Sequence, residues 1–118
     1  MENILVVDDE EHLLNLYEEE LLEQGYQVKL AKNRTQALEI VNKEKINLVV
    51  LDIKLSGEEN GLQILSLLKE KNKNLPVIIN SAYPSYKINF QTWLADAYLV
   101  KSSNLVELKE KIKQLLRG

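Results

Sequence analysis

Short apolar runs alternate with longer amphipathic segments along the whole chain, and this order strongly limits the folds open to it. The apolar runs are rich in Val, Ile and Leu, as strands are, and occupy residues 3–8, 26–31, 46–52, 76–82 and 96–101. The segments between them repeat apolar residues every three or four positions, which is typical of helices with one buried face. Near-continuous apolar strands that alternate with helices predict a parallel sheet covered on both faces.

Most of the amphipathic segments carry clear helix signals. The first, residues 10–24, is followed by Gly25 at the position where a helix C-cap usually falls. The second opens with Asn33 and Gln36, a pattern similar to a capping box. The segment at residues 86–94 is the exception, because polar and β-branched residues interrupt its apolar pattern. We expect any helix there to be short, shifted or partly unwound.

The composition is that of one compact domain, which we expect to span residues 1–118. The formal net charge of −3 gives no support for binding nucleic acid or membranes through charge. The absence of cysteine excludes disulfides, thiolate metal sites and cysteine catalysis. We find neither a signal peptide nor an apolar run near the ~18 residues of a membrane span, so we expect a cytoplasmic location.

Polar side chains follow the apolar runs at the points where the predicted strands end. Asp8 and Asp9 end the first run, Asp52 the third, Ser81 the fourth and Lys101 the fifth. Ligands of open parallel sheets bind beyond the carboxyl ends of the strands, where these side chains would converge. Three carboxylates without a cation would repel one another, and Mg²⁺ prefers oxygen ligands. The sequence therefore predicts a magnesium site formed by the three aspartates.

Four motifs, in this order, resemble those of the receiver domains of two-component response regulators. They are "VDDE" after the first strand, "LVVLDIKLSG" around Asp52, "SAY" after the fourth strand and "YLVK" in the fifth. The resemblance spans essentially the whole chain. It implies a flavodoxin-like (βα)5 three-layer sandwich, an α/β fold whose parallel sheet has the strand order 2-1-3-4-5.

The resemblance also implies a role for each acidic residue. Asp52 would be the phosphoacceptor, and Asp8, Asp9 and Asp52 would hold Mg²⁺ together with the backbone carbonyl of Lys54. Asp9 would be a direct ligand, whereas Asp8 would act mainly through water. Mn²⁺ would be an alternative cofactor.

Further residues take their expected roles from the same resemblance. Ser81 and Lys101 would contact the phosphoryl oxygens, and Tyr98 matches the aromatic residue that turns inward as the family switches. Lys54 and Tyr83 occupy two positions that set the lifetime of the phosphoryl group. A lysine and a bulky tyrosine there predict slow self-hydrolysis.

The implied function is that of a phosphoacceptor rather than an enzyme. The phosphoryl donor would be a phosphohistidine on a sensor histidine kinase or a histidine phosphotransfer protein. Phosphorylation would switch the surface of the fourth and fifth strands for partner binding, with no direct contact to nucleic acid or membrane. A homodimer through the 86–94 segment, the fifth strand and the last helix is a further expectation.

Several alternatives remain open on the sequence alone. Asp8 and Asp9 could serve only as helix caps, since aspartate is favoured there. Ser102 stands where the family usually has a proline preceded by a cis peptide, which puts the placement of Lys101 in doubt. The closest rival function is a degenerate receiver that acts only as an unphosphorylated docking module.

Overall fold

One parallel five-stranded sheet forms the centre of the molecule, and its strand order is β2-β1-β3-β4-β5. The computed structural model describes residues 1–53, 61–82, 94–102 and 104–117. The strands are β1 (Asn3–Val7), β2 (Gln27–Ala31), β3 (Leu48–Leu51), β4 (Val77–Ser81) and β5 (Ala97–Val100). The described helices are α1 (Glu11–Glu23), α2 (Arg34–Lys43), α3 (Gly61–Lys71) and α4 (Val106–Arg117).

The predicted α/β fold and sheet order are confirmed. The alternation of strands and helices follows from the sequence, because each apolar strand is succeeded by an amphipathic segment that must cover a face of the sheet. The strands are slightly shorter than the apolar runs that predicted them. The helix expected at residues 86–94 lies outside the described residues except for its last position, Leu94.

The helices cover the two faces of the sheet in pairs. One core cluster packs α2 and α3 against one face, through residues such as Ala37, Leu65 and Leu68. The other packs α1 and α4 against the opposite face, through residues such as Leu14 and Ile112. Burial of these side chains removes apolar surface from water, which is the main force that holds the three layers together.

The predicted helix-end signals act in the structure as the sequence indicated. Gly25 follows α1 with a φ of 94°, a left-handed conformation that glycine adopts without steric cost. Asn33 is the N-cap of α2, and its side chain accepts a hydrogen bond from the Gln36 N–H at 2.9 Å. Gln36 in turn accepts from the Lys32 N–H at 2.8 Å, one residue before the usual capping-box position.

Candidate functional site

Sheet hydrogen bonds continue one residue beyond the strand ends and fix the acidic residues at one edge. The Asp52 N–H donates to the Val7 carbonyl at 3.0 Å, and the Asp8 N–H donates to the Ala31 carbonyl at the same distance. The three carboxylates predicted to meet are thus held by neighbouring strands. Asp8 is 2% exposed and Asp52 5%, whereas Asp9 is partly exposed.

The carboxylates of Asp8, Asp9 and Asp52 form one cluster. Each offers an oxygen, and these oxygens lie within 4.8 Å of one another. An all-oxygen donor set of this charge suits a hard divalent cation such as Mg²⁺, and softer metals prefer nitrogen or sulfur ligands. The residues present therefore fit the cation that the sequence predicted.

The ammonium group of Lys101 lies between two of these carboxylates. Its Nζ is 2.7 Å from Oδ2 of Asp8 and 3.1 Å from Oδ2 of Asp52. Burial alone would lower the pKa of this ammonium, but the hydrogen bond to Asp8 and the charge of Asp52 outweigh burial and raise the pKa. Lys101 is therefore a fixed positive charge in an otherwise negative site.

The residue after Lys101 does not displace it from the site. No cis peptide bond occurs among the described residues, which include both Lys101 and Ser102. The Ser102 hydroxyl accepts from the Asn104 N–H at 3.1 Å, and the Asn104 side chain accepts from the Val106 N–H at 2.9 Å. These two hydrogen bonds connect Ser102 to the start of α4.

Ser81 and Tyr98 lie on the strands beside the cluster. Ser81 is fully buried at the end of β4, and its carbonyl accepts a hydrogen bond from the Lys101 N–H at 2.7 Å. Tyr98 is half-buried in β5 and packs against the core cluster of α2 and α3. Their roles as phosphoryl contact and switch stay predictions, as do those of Lys54 and Tyr83, which lie outside the described residues.

The helix-capping alternative for the aspartates holds only in part. Asp8 Oδ1 accepts from the Glu10 N–H at 3.0 Å, so this residue does shape the turn that leads into α1. The N-cap of α1 is Glu10, which makes no side-chain capping bond. The other Asp8 oxygen contacts Lys101, so capping alone does not account for the residue.

Gly61 is a site feature whose role the sequence did not reveal. Its N–H donates to the Ile53 carbonyl at 2.7 Å, which brings the start of α3 against the backbone after β3. A Cβ atom at this position would lie 2.2 Å from the Asp52 carbonyl oxygen and 2.6 Å from Ile53 Cα. Only glycine permits this approach, which fixes the backbone that carries Asp52.

A buried hydrogen bond between Tyr17 and Asn80 was also missed. The Asn80 Nδ2 group donates to the Tyr17 hydroxyl at 2.9 Å. In the sequence, Tyr17 simply fits the apolar face of the first helix and gives no sign of this contact. A polar residue within the apolar run "PVIINSA" was the available signal, since a buried amide requires a partner.

Comparisons with known proteins all indicate the same family. The family model for the response regulator receiver domain matches residues 4–113. Sporulation initiation phosphotransferase F of Bacillus subtilis is 35% identical over 117 residues, which cover 98% of this chain and 94% of that protein. An NtrX-like response regulator of Rickettsia conorii is 44% identical over 82 residues, or 69% of this chain. The matched part spans only 17% of the length of that relative.

Solved structures agree with this result. The response regulator TrrA of Thermotoga maritima, in complex with Mg²⁺-BeF, superposes with a TM-score of 0.93 at 41% identity, with 98% of this chain and 99% of that chain covered. TrrA in complex with the histidine kinase ThkA gives a TM-score of 0.91 at 42% identity, with the same coverage. Within the described ranges, no helix is long and apolar enough to cross a membrane.

Proposed function

Because the chain belongs to the response regulator receiver domain family, we propose that it is the phosphoacceptor of a two-component or phosphorelay signalling system. We take residues 1–118 as one receiver domain. The observation that supports this function best is the cluster of Asp8, Asp9 and Asp52 with the Lys101 ammonium on two of its carboxylates. An anionic phosphoryl group can approach such a cluster only where positive charge compensates it.

The three aspartates would hold Mg²⁺, or Mn²⁺ in its place, with the Lys54 carbonyl as a further ligand. The fit of the donor set and the Mg²⁺-BeF complex of the similar protein TrrA support this assignment. The bound cation would supply charge neutralisation for the carboxylates and the phosphoryl oxygens. Asp8 is the most buried of the three and already contacts Lys101, which suits the less direct role predicted for it.

Asp52 would be the nucleophile. One of its carboxylate oxygens attacks the phosphorus of a phosphohistidine, so an O–P bond forms while the P–N bond breaks. The electron pair of that bond leaves with the imidazole of the donor. Lys101 would neutralise the charge that builds on the phosphoryl oxygens, and Ser81 would donate a hydrogen bond to one of them.

The partners follow from this chemistry. The donor is a sensor histidine kinase or a histidine phosphotransfer protein, and the histidine kinase bound to TrrA supports that class. The protein is not an enzyme apart from slow loss of its own phosphoryl group. Phosphorylation would reposition Ser81 and Tyr98 and so alter the surface of β4 and β5 for partner binding, including a homodimer. A cytoplasmic location is part of the same proposal.

The second candidate is a degenerate receiver that only docks a partner. Ser102 favours it, because the family usually has proline at this position. The ion pairs of Lys101 argue against it, since a docking module has no need of a buried ammonium between carboxylates.

An assay of phosphoryl transfer from a phosphohistidine donor distinguishes the phosphoacceptor function from the docking function. A histidine kinase domain of this family is phosphorylated with labelled ATP, freed of nucleotide and mixed with the protein and Mg²⁺. We expect label to pass to the wild type and not to Asp52→Asn. Asp96→Asn is the matched control, because Asp96 lies at the opposite end of β5 and should leave transfer unchanged. Label on Asp52→Asn, or none on the wild type, would contradict the proposal.

A further inference from the structure

Few polar side chains are buried in the described part of the chain, and one of them has no place in the site described above. The buried polar and charged residues there are Asp8, Asp52, Ser81 and Asn80. The first three belong to the candidate site. Asn80 is 5% exposed and donates to the hydroxyl of Tyr17, which is itself 1% exposed.

Stability alone does not explain this polar pair. A buried hydrogen bond contributes little net free energy, and an apolar pair of the same shape is often equally stable. The surrounding cluster between α1, α4 and the sheet is made of aliphatic side chains that would accommodate such a pair. An isolated polar contact in an apolar interface instead fixes one arrangement of the groups that carry it.

Asn80 is buried, yet it lies next to a cavity. The residue lines a cavity of about 390 Å³, bordered also by Leu99, Ser102 and Leu105. The hydrogen bond to Tyr17 holds the Asn80 amide and ties the end of β4 to α1.

A short chain of bonds connects the pair to the phosphoryl site. Asn80 is followed directly by Ser81, whose carbonyl accepts from the Lys101 N–H at 2.7 Å. The Lys101 ammonium then contacts Asp8 and Asp52. Burial raises the pKa of the Tyr17 hydroxyl. The charge of Lys101 lowers this pKa and the charges of Asp8 and Asp52 raise it, so Tyr17 lies within electrostatic reach of the candidate site.

We propose that Tyr17 and Asn80 are positioning residues, whose hydrogen bond holds the end of β4 so that Ser81 and Lys101 meet the phosphoryl group. The effect on phosphoryl uptake rests on the proposed function. The ordering of Ser81 and Lys101 does not rest on it, because that ordering is a property of the unphosphorylated protein.

Hydrogen exchange tests the ordering without any phosphoryl donor. Tyr17→Phe removes the acceptor, and Tyr17→Phe with Asn80→Leu also removes the donor, so that no amide is left buried without a partner. The readout is exchange of the Lys101 amide relative to the Val49 amide, which lies in the central strand β3 and donates to the Pro76 carbonyl. We expect this ratio to rise about fivefold in both variants. A purely structural role would change both amides equally.

Phosphoryl uptake from acetyl phosphate with Mg²⁺ is measured on the same proteins. We expect the double variant to unfold in urea as the wild type does and yet to take up phosphate about tenfold more slowly, because Lys101 and Ser81 are displaced. Tyr26→Phe is the matched control, since Tyr26 packs at the edge of the same cluster before β2 and should change neither readout.

The outcomes separate the two proposals. An unchanged exchange ratio overturns the positioning role, and so does an unchanged uptake rate in the double variant when the wild type takes up phosphate. If the wild type takes up no phosphate while the exchange ratio still rises, the ordering by Tyr17 and Asn80 stands and the proposed function falls.

Discussion

The ammonium of Lys101 lies 2.7 Å from Oδ2 of Asp8, a carboxylate that is almost fully buried. The same ammonium is 3.1 Å from Asp52, so one cation compensates two negative charges that water cannot reach freely. Buried charges are tolerated only when they are paired in this way. The contact therefore links the stability of the fold to the charge balance of the site.

Replacement of Lys101 by Met should destabilise the protein in the absence of divalent cations. The substitution keeps the aliphatic stem but removes the positive charge that compensates Asp8 and Asp52, which should cost about 3 kcal/mol of unfolding free energy. Added Mg²⁺ should restore part of this loss, because it binds the same carboxylates only in the folded state. Urea unfolding with and without Mg²⁺ measures both effects.

Lys113→Met is the matched control, because Lys113 is exposed on α4. Its unfolding free energy should stay within about 0.5 kcal/mol of the wild type. If Lys101→Met proves as stable as this control without Mg²⁺, the carboxylates do not depend on the ammonium.

Replacement of Gly61 by Ala should disturb the phosphoacceptor directly. The new Cβ would meet the Asp52 carbonyl oxygen at 2.2 Å, and backbone atoms cannot yield as a flexible side chain would. We expect a loss of about 2 kcal/mol of unfolding free energy, together with slower phosphoryl uptake. Urea unfolding and uptake from acetyl phosphate are measured side by side.

Gly25→Ala provides the contrast for this prediction. A Cβ at Gly25 meets nothing within 4 Å, but its φ of +94° is strained for alanine. We expect a loss of about 1 kcal/mol without any change in phosphoryl uptake. Equal uptake by Gly61→Ala and Gly25→Ala would show that Gly61 does not position Asp52.

Alkaline pH should weaken the fold through Tyr17 and Lys101. Both have a raised pKa in the folded protein, so the folded state holds these protons more tightly than the unfolded chain does. Their stabilisation is complete below the unfolded pKa of about 10 and is lost as pH rises through the folded pKa. Urea unfolding measured from neutral pH upwards should show a decline in the free energy of unfolding. This decline should be shallower in the double variant that carries both Tyr17→Phe and Lys101→Met. If the free energy of unfolding declines equally in the wild type and the double variant, these two groups do not cause the alkaline destabilisation.

The lifetime of the phosphoryl group on Asp52 tests the sequence-based prediction of slow self-hydrolysis. The family resemblance implies that the residue at position 54 protects the phosphoryl group from water, so Lys54→Asn should release phosphate faster than the wild type. A time course of phosphate release from purified phosphorylated protein measures the difference. Equal release rates would show that Lys54 does not protect the phosphoryl group.

The sequence predicted the fold well because its signals are local and agree with one another. Each apolar run reports a buried strand, and glycine or asparagine marks a helix end at Gly25 and Asn33. The carboxyl edge of a parallel sheet then brings Asp8, Asp9 and Asp52 together without further information.

Contacts between distant parts of the chain were harder to foresee. Tyr17 and Asn80 are 63 positions apart, and each fits an ordinary helix or strand position by itself. The tight approach of Gly61 to the Asp52 backbone likewise depends on how α3 packs after β3. Local periodicity carries no signal for such pairings, since they are set by tertiary packing.

Intact-mass spectrometry after incubation with acetyl phosphate and Mg²⁺ tests the central claim most directly. The account predicts a mass gain of one phosphoryl group in the wild type, located on Asp52 by peptide mapping and abolished by a chelator. Asp52→Asn should show no gain. An unmodified wild type, or a phosphoryl group attached to another residue, would contradict the claim that Asp52 and its neighbouring charges form a phosphoacceptor site.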